Sequence, residues 1–194
     1  MFVLATAIVA SSATASASDQ AGVAAAVVGR VDVISASGAT EPASIGRNIR
    51  IGEEIASGPD SQLQILLLDG AMFTIGADAK MTIDQFVYDP SNNVGQMTAS
   101  IAQGAFRFIT GAIAEGDPDN MTIETPVAVI GVRGTMGKGI ASGDQAAIVL
   151  TGPGLQADGV DRVGRLEVTG ADGSQQQLSR PGFAVTVGET GGVS

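Results

Sequence analysis

An all-β domain is what this sequence predicts, and three observations carry that reading. Short apolar runs alternate with turns rich in Gly, Asp and Asn. Gly reaches 27 of 194 residues, well above the usual share of about 7%. Hardly any segment shows the periodicity of a helix longer than a turn or two. Hydrophobic residues at 44% against 15% charged give the balance of a folded chain, and 194 residues hold one ordinary domain with a sizeable core. Aromatics are only 4%, so Val, Ile, Leu and Ala must fill that core.

The strands follow in order. An apolar, β-branched run over 24–35 comes first. The runs 62–68 and 71–75 are separated by Asp69-Gly70, residues that tolerate positive φ and give the strongest short-range hairpin signal. The runs 80–88 and 95–102 flank Asp89-Pro90-Ser91-Asn92-Asn93, a longer turn of the same kind, and 104–109 follows. Between 121–124 and 127–132 stands Thr125-Pro126, where proline fixes its own φ and pushes the preceding residue toward an extended conformation. The runs 138–141 and 145–151 come next. Asp172-Gly173 then separates 165–169 from 175–179, and 184–187 closes the series. No fixed repeat is visible, and such strands suit a sandwich, a barrel or a wound β-roll.

The chain ends read differently. Phe2 to Ala10 is a short apolar block, and Ser11-Ser12-Ala13-Thr14-Ala15-Ser16-Ala17 supplies small residues with A-x-A sites. This predicts a secretory leader over 1–17, with only the α-amino group as its positive charge. A single domain over 18–188 and a short flexible tail over 189–194 complete the expected organisation. No later segment offers the roughly 18 apolar residues of a membrane span, so the cleaved chain is expected to be exported, periplasmic or extracellular, and not an integral membrane protein.

Charge and composition exclude whole classes of function. A net charge of −10 repels nucleic acid and anionic membranes. With no Cys there are no disulfides, thiolate metal sites or cysteine nucleophile. With no His, a general base near neutral pH would have to be a perturbed Asp, Glu or Lys. Glu53-Glu54 is the nearest thing to a carboxylate pair, but adjacent strand residues point to opposite faces, so the pair reads as a solvated edge or turn. No G-x-S-x-G elbow or S-x-x-K arrangement activates a hydroxyl, and Gly152-Pro153-Gly154 lacks the lysine of a phosphate loop. The expectation is a non-enzymatic protein with no catalytic residues and no cofactor. One oxygen-rich turn, Asp117-Pro118-Asp119-Asn120, could meet Ca²⁺ through Asp117, Asp119 and Asn120, though its spacing is not that of an EF-hand. It reads first as a capped turn, as does Asp158-Gly159-Val160-Asp161.

The most informative segment is Thr125-Pro126-Val127-Ala128-Val129-Ile130-Gly131-Val132-Arg133-Gly134-Thr135. Its β-branched run reads as a strand buried on both faces, which makes Arg133 the anomaly. A buried guanidinium must be paired, and Glu124 and Asp69 are the candidate partners. The alternative places Arg133 in a groove, where it would take a partner's carboxylate bidentately.

The pattern T-P-x-A-x-x-x-V-R-G-T resembles the core motif of the FecR domain, a bacterial extracytoplasmic signalling module. Gly46-Arg47-Asn48-Ile49-Arg50-Ile51-Gly52-Glu53-Glu54-Ile55 and Leu66-Leu67-Leu68-Asp69-Gly70-Ala71-Met72-Phe73-Thr74-Ile75 resemble two further segments of that family, and Leu178 to Val185 its closing strand. The resemblance implies an elongated, twisted β-roll or β-solenoid-like domain of many short antiparallel strands, with a β-sandwich as the alternative architecture. It also implies that Thr125, Pro126, Val132, Arg133, Gly134, Thr135, Asp69 and Gly70 are mainly structural. Typical members add an anti-sigma region and a transmembrane helix, which this chain does not show. The implied role is a protein-binding or signalling module of the cell envelope, whose partner would be a membrane regulator or an outer-membrane receptor. A structural, adhesive or glycan-binding surface protein is the rival reading.

Overall fold

The computed structural model describes residues 19–115, 120–153 and 164–194. The leader expected over 1–17 and most of the Asp117–Asn120 turn lie outside the described residues, as does the Asp158–Asp161 loop.

The all-β expectation holds, for sixteen strands form one open sheet that closes no barrel among the described residues. They are β1 (Gln20–Val28), β2 (Val31–Ile34), β3 (Thr40–Pro42), β4 (Asn48–Arg50), β5 (Glu54–Ser57), β6 (Gln62–Leu67), β7 (Met72–Ile75) and β8 (Lys80–Asp89), followed by β9 (Val94–Ile109), β10 (Met121–Glu124), β11 (Ala128–Arg133), β12 (Thr135–Ala141), β13 (Ala146–Pro153), β14 (Arg165–Gly170), β15 (Gln175–Leu178) and β16 (Ala184–Val187). A single 3-10 turn, Ile113–Glu115, interrupts them.

The long strand β9 organises everything else. Its first part pairs with β8 and β10, and its second part, from Gly104 onward, pairs with β7 and β12. Two sections therefore share β9. The first runs β4-β1-β6-β7-β9-β12-β13-β16 and the second β3-β2-β5-β8-β9-β10-β11-β14-β15. At the passage between them Gly104 has φ +95°, and a Cβ there would run into Ala79, so only glycine fits.

Each strand alternates buried and exposed residues, and the buried faces of both sections join in one core. Phe73 and Phe108 are both fully buried in it with ring centroids 6.3 Å apart, and Leu63, Ile75, Met97, Ile101 and Ile130 belong to the same core. Each fully buried side chain of this kind contributes about 1.5–3 kcal/mol.

Several details depart from the sequence reading. The run over 24–35 is two strands, because Gly29 at φ +70° turns the chain from the first section to the second. The runs 95–102 and 104–109 are one continuous strand. Strands β3, β4 and β5 are too short and polar to have been read as strands. The ladder is not wholly antiparallel, since β9 and β10 run parallel over Met97–Ser100 and Met121–Glu124. The segment 127–132 is buried on one face only, with Val129 45% exposed. An open sheet alternates where a doubly covered one would not.

Candidate functional site

Asp69, Gly134 and Thr135 of the family motif converge on one stretch of backbone. Beyond β9 the chain leaves the ladder at Thr110 and crosses to β10, so its peptide groups need other partners. The Asp69-Gly70 turn supplies them from one side. Gly70 takes φ +85°, and Asp69 is buried at 6% exposure. Its carboxylate accepts the Ala71 amide at 3.0 Å and the Ile113 amide at 3.4 Å, while its carbonyl accepts the Ala112 amide at 3.0 Å. Burial pushes the Asp69 carboxyl above its ordinary value, an effect that the amides of Ala71 and Ile113 offset only in part.

The V-R-G-T block closes the other side. The Thr110 amide donates to the Thr135 carbonyl at 3.2 Å, and the Gly134 amide to the Ala114 carbonyl at 3.1 Å. Gly134, at φ +49°, carries the chain from β11 in one section to β12 in the other. Thr135 is fully buried and its hydroxyl donates to the Gly152 carbonyl. Thr125 fastens the preceding hairpin, its hydroxyl bonding the carbonyl and the amide of Ala128 at 3.0 Å each. Pro126 is exposed at that turn, and Val132 is wholly buried.

Arg133 departs from expectation. It is half-buried, and among the described residues no carboxylate forms an ion pair with it. Glu124 pairs in register with Val129, four residues further back along β11, about 13 Å from Arg133. The Asp69 carboxylate is occupied by backbone amides. Arg133 instead faces Arg165 across the β11–β14 ladder.

The ion pair that reaches under the surface lies elsewhere, between half-buried Arg47 and buried Glu53. Two guanidinium nitrogens of Arg47 reach the two Glu53 oxygens at 3.0 and 3.1 Å, and the Arg50 amide adds a bond at 2.9 Å. Glu53 is 5% exposed, so it is not the solvated edge the sequence suggested. Burial raises its carboxyl, but the bonds from Arg47 and the Arg50 amide outweigh burial and hold it below its ordinary value. The bond to Glu53 raises Arg47 in turn. Glu54 points away and lies 3.8 Å from Lys80, so the two glutamates do not converge. The signal available in the sequence was Arg47 six residues ahead of Glu53 in a tight glycine-bounded segment.

No group of three metal-ligating side chains occurs among the described residues. Asn120 is half-buried beside β10, while Asp117 and Asp119 lie outside the described residues. No helix among the described residues is long and apolar enough to cross a membrane.

The outer faces of the two sections differ in charge. No strand residue of the first section is Asp or Glu, whereas strands of the second carry Asp32, Glu41, Glu54, Asp84, Glu124 and Glu167, among others. On the first face Arg107 of β9 and Lys138 of β12 stand opposite each other in register, both exposed. They line a shallow groove of about 420 Å³ together with the small residues Gly76, Ala105 and Ala147. Sequence reading missed this juxtaposition, because it depends on strand register.

Two crystal structures from Parabacteroides distasonis ATCC 8503, each described as a "putative anti-sigma factor", share this fold with TM-scores of 0.52 and 0.51 at 19% identity. Each match covers 73% of this chain and 57% of the other, so the chain spans little more than half the length of those proteins. No curated protein has a matching sequence. The family model described as FecR protein matches residues 53–152, just over half of the chain and the stretch that holds the Asp-Gly turn and the V-R-G-T corner. The chain belongs to the FecR protein family.

Proposed function

We propose that this chain is an exported, non-enzymatic protein-binding module that serves regulation in the bacterial cell envelope. The observation that carries the reading is the clamp around residues 110–115 and the hairpin beside it: the side chains of Asp69, Thr125 and Thr135 are spent on backbone hydrogen bonds, and Gly134 on a sheet-to-sheet corner. A motif spent in this way maintains a shape, and the sheet faces outside it are free for recognition. Family membership supports a regulatory role, and the anti-sigma description of the structural neighbours agrees with it.

In-cell cross-linking of the C-terminally tagged chain, with capture from periplasmic and membrane fractions and mass spectrometry, tests the proposal. Enrichment of a membrane regulator or an outer-membrane receptor is expected. Recovery of the chain alone, or only from the culture medium, overturns it in favour of a structural, adhesive or glycan-binding surface protein.

A further inference from the structure

We infer that the outer face of the first section is a docking groove for an extended, acidic segment of a partner protein. The inference rests on the binding role proposed above and gives it a place and a chemistry.

The groove beside Arg107 and Lys138 does not end at β13. A second cavity of about 630 Å³ shares Ile140 and Ala147 with it and continues to Thr186 on β16. The combined depression therefore crosses the sheet from Gln62 on β6 to β16. At about 4.8 Å per strand spacing it is about 24 Å long, which matches about seven residues of extended chain. Ile140, 56% exposed, stands where the two cavities meet and offers an apolar contact.

Charge selects the occupant. Arg107 and Lys138 are neighbours across the β9–β12 ladder, a like-charge pair that costs stability unless an anion joins it. Neither forms an ion pair or a side-chain hydrogen bond with a described residue. Among the described residues no Asp or Glu side chain lines either cavity, and Asp60, Asp78, Asp144 and Glu189 sit on turns beyond the strand ends. In a chain of net charge −10, this is a local reversal of sign. An extended peptide places side chains i and i+2 on one side about 7 Å apart, so two carboxylates at that spacing meet Arg107 and Lys138 together.

A peptide fits better than an anionic bilayer. A bilayer is flat, leaves the groove unfilled and meets the negative field of the whole chain. A peptide carboxylate sits within a few ångströms of the two cations, well inside a Debye length of about 10 Å.

Random heptapeptides displayed on phage and panned against the full chain test the inference. Selected sequences are expected to carry Asp or Glu at i and i+2. Synthetic copies should bind Arg107→Ala/Lys138→Ala about tenfold more weakly than the unaltered chain, and Gln-substituted copies should lose as much. Both substituted positions are exposed and the substitutions remove a like-charge pair, so circular dichroism melts should match or slightly exceed those of the parent. Selection of non-acidic peptides, or equal binding by the double variant, overturns the inference. So does cation-dependent sedimentation with phosphatidylglycerol vesicles in the absence of acidic selectants, or self-association that the double variant abolishes. If cross-linking in cells captures the same regulator with the double variant, the groove fails while the binding role stands. If the unaltered chain captures none, the role itself fails.

Discussion

Glu53 and Asp69 are both carboxylates held under the surface, and they titrate in opposite directions. Glu53 faces the guanidinium of Arg47 and is held below its ordinary value. Asp69 faces only backbone amides and is pushed above its own. The difference shows that burial sets the cost of a charge, while the formal charge of the partner decides whether that cost is recovered. One site is an ion pair tying a turn to the sheet edge. The other is a cap whose ionised form is favoured by the two amides, of Ala71 and Ile113, that donate to it.

The largest expected effect comes from removing the cation on one side of the comparison. Arg47→Met leaves buried Glu53 without its hydrogen-bonded cation and should cost about 2–4 kcal/mol in chemical denaturation, less than a fully enclosed pair because Arg47 is partly exposed. Arg47→Met/Glu53→Leu, which removes both charges, should recover most of that loss; a double variant as unstable as the single would show that packing, not charge, is at stake. Next comes Gly111→Ala. Its Cβ would meet the Ala71 amide and the Asp69 carbonyl, both unyielding backbone, and a loss of about 3 kcal/mol is expected. A loss under about 0.5 kcal/mol would mean that the clamp is loose.

Asp69→Ala orphans the Ala71 and Ile113 amides and should cost about 1–3 kcal/mol, whereas Asp69→Asn keeps an acceptor. The pH dependence then separates the two carboxylates. Because the folded value of Asp69 is raised, its contribution is fully present below the unfolded carboxyl value and is lost as pH rises through the folded one. Asp69→Asn should therefore gain on the parent as pH climbs from below about 4 toward neutrality. Glu53 has the opposite sign: its stabilisation is present above the unfolded value and disappears as pH falls through the folded one. Glu53→Gln should accordingly flatten the acid limb of a melting-temperature profile; parallel profiles for both variants would break the contrast. The smallest effect is expected at Arg133→Met, within about 0.5 kcal/mol and in the stabilising direction, since it removes a like charge opposite Arg165. A large loss in thermal melts would restore the buried-strut reading of Arg133.

Much of this was legible in the chain because local chemistry dictated it. Asp69-Gly70 and Asp172-Gly173 marked real hairpins, with Gly70 and Gly173 both at positive φ. Thr125-Pro126 marked the β10–β11 turn. The buried arginine was sought in the right family of motifs but at the wrong place. Arg133 stands next to the most apolar run, yet that run alternates, and its exposed side is where Arg133 finds solvent. Arg47 sits in a polar segment whose three-residue strands gave no periodic signal, and the fold half-buries it against Glu53 all the same.

By itself, then, the sequence determined the strand-and-turn alphabet, the single hydrophobic core, the absence of cysteine and histidine chemistry, and the motif residues that mark the family. These depend on side-chain period, turn residues and composition, all of which act over a few positions of the chain. Only the tertiary structure decided which strands share an edge, that β9 serves both sections, which carboxylate meets a guanidinium, and that Arg107 and Lys138 stand together on a section whose strands carry no Asp or Glu. The physical reason is that register and crossover couple residues far apart in the chain, and a one-residue slip reverses every face without changing the local pattern.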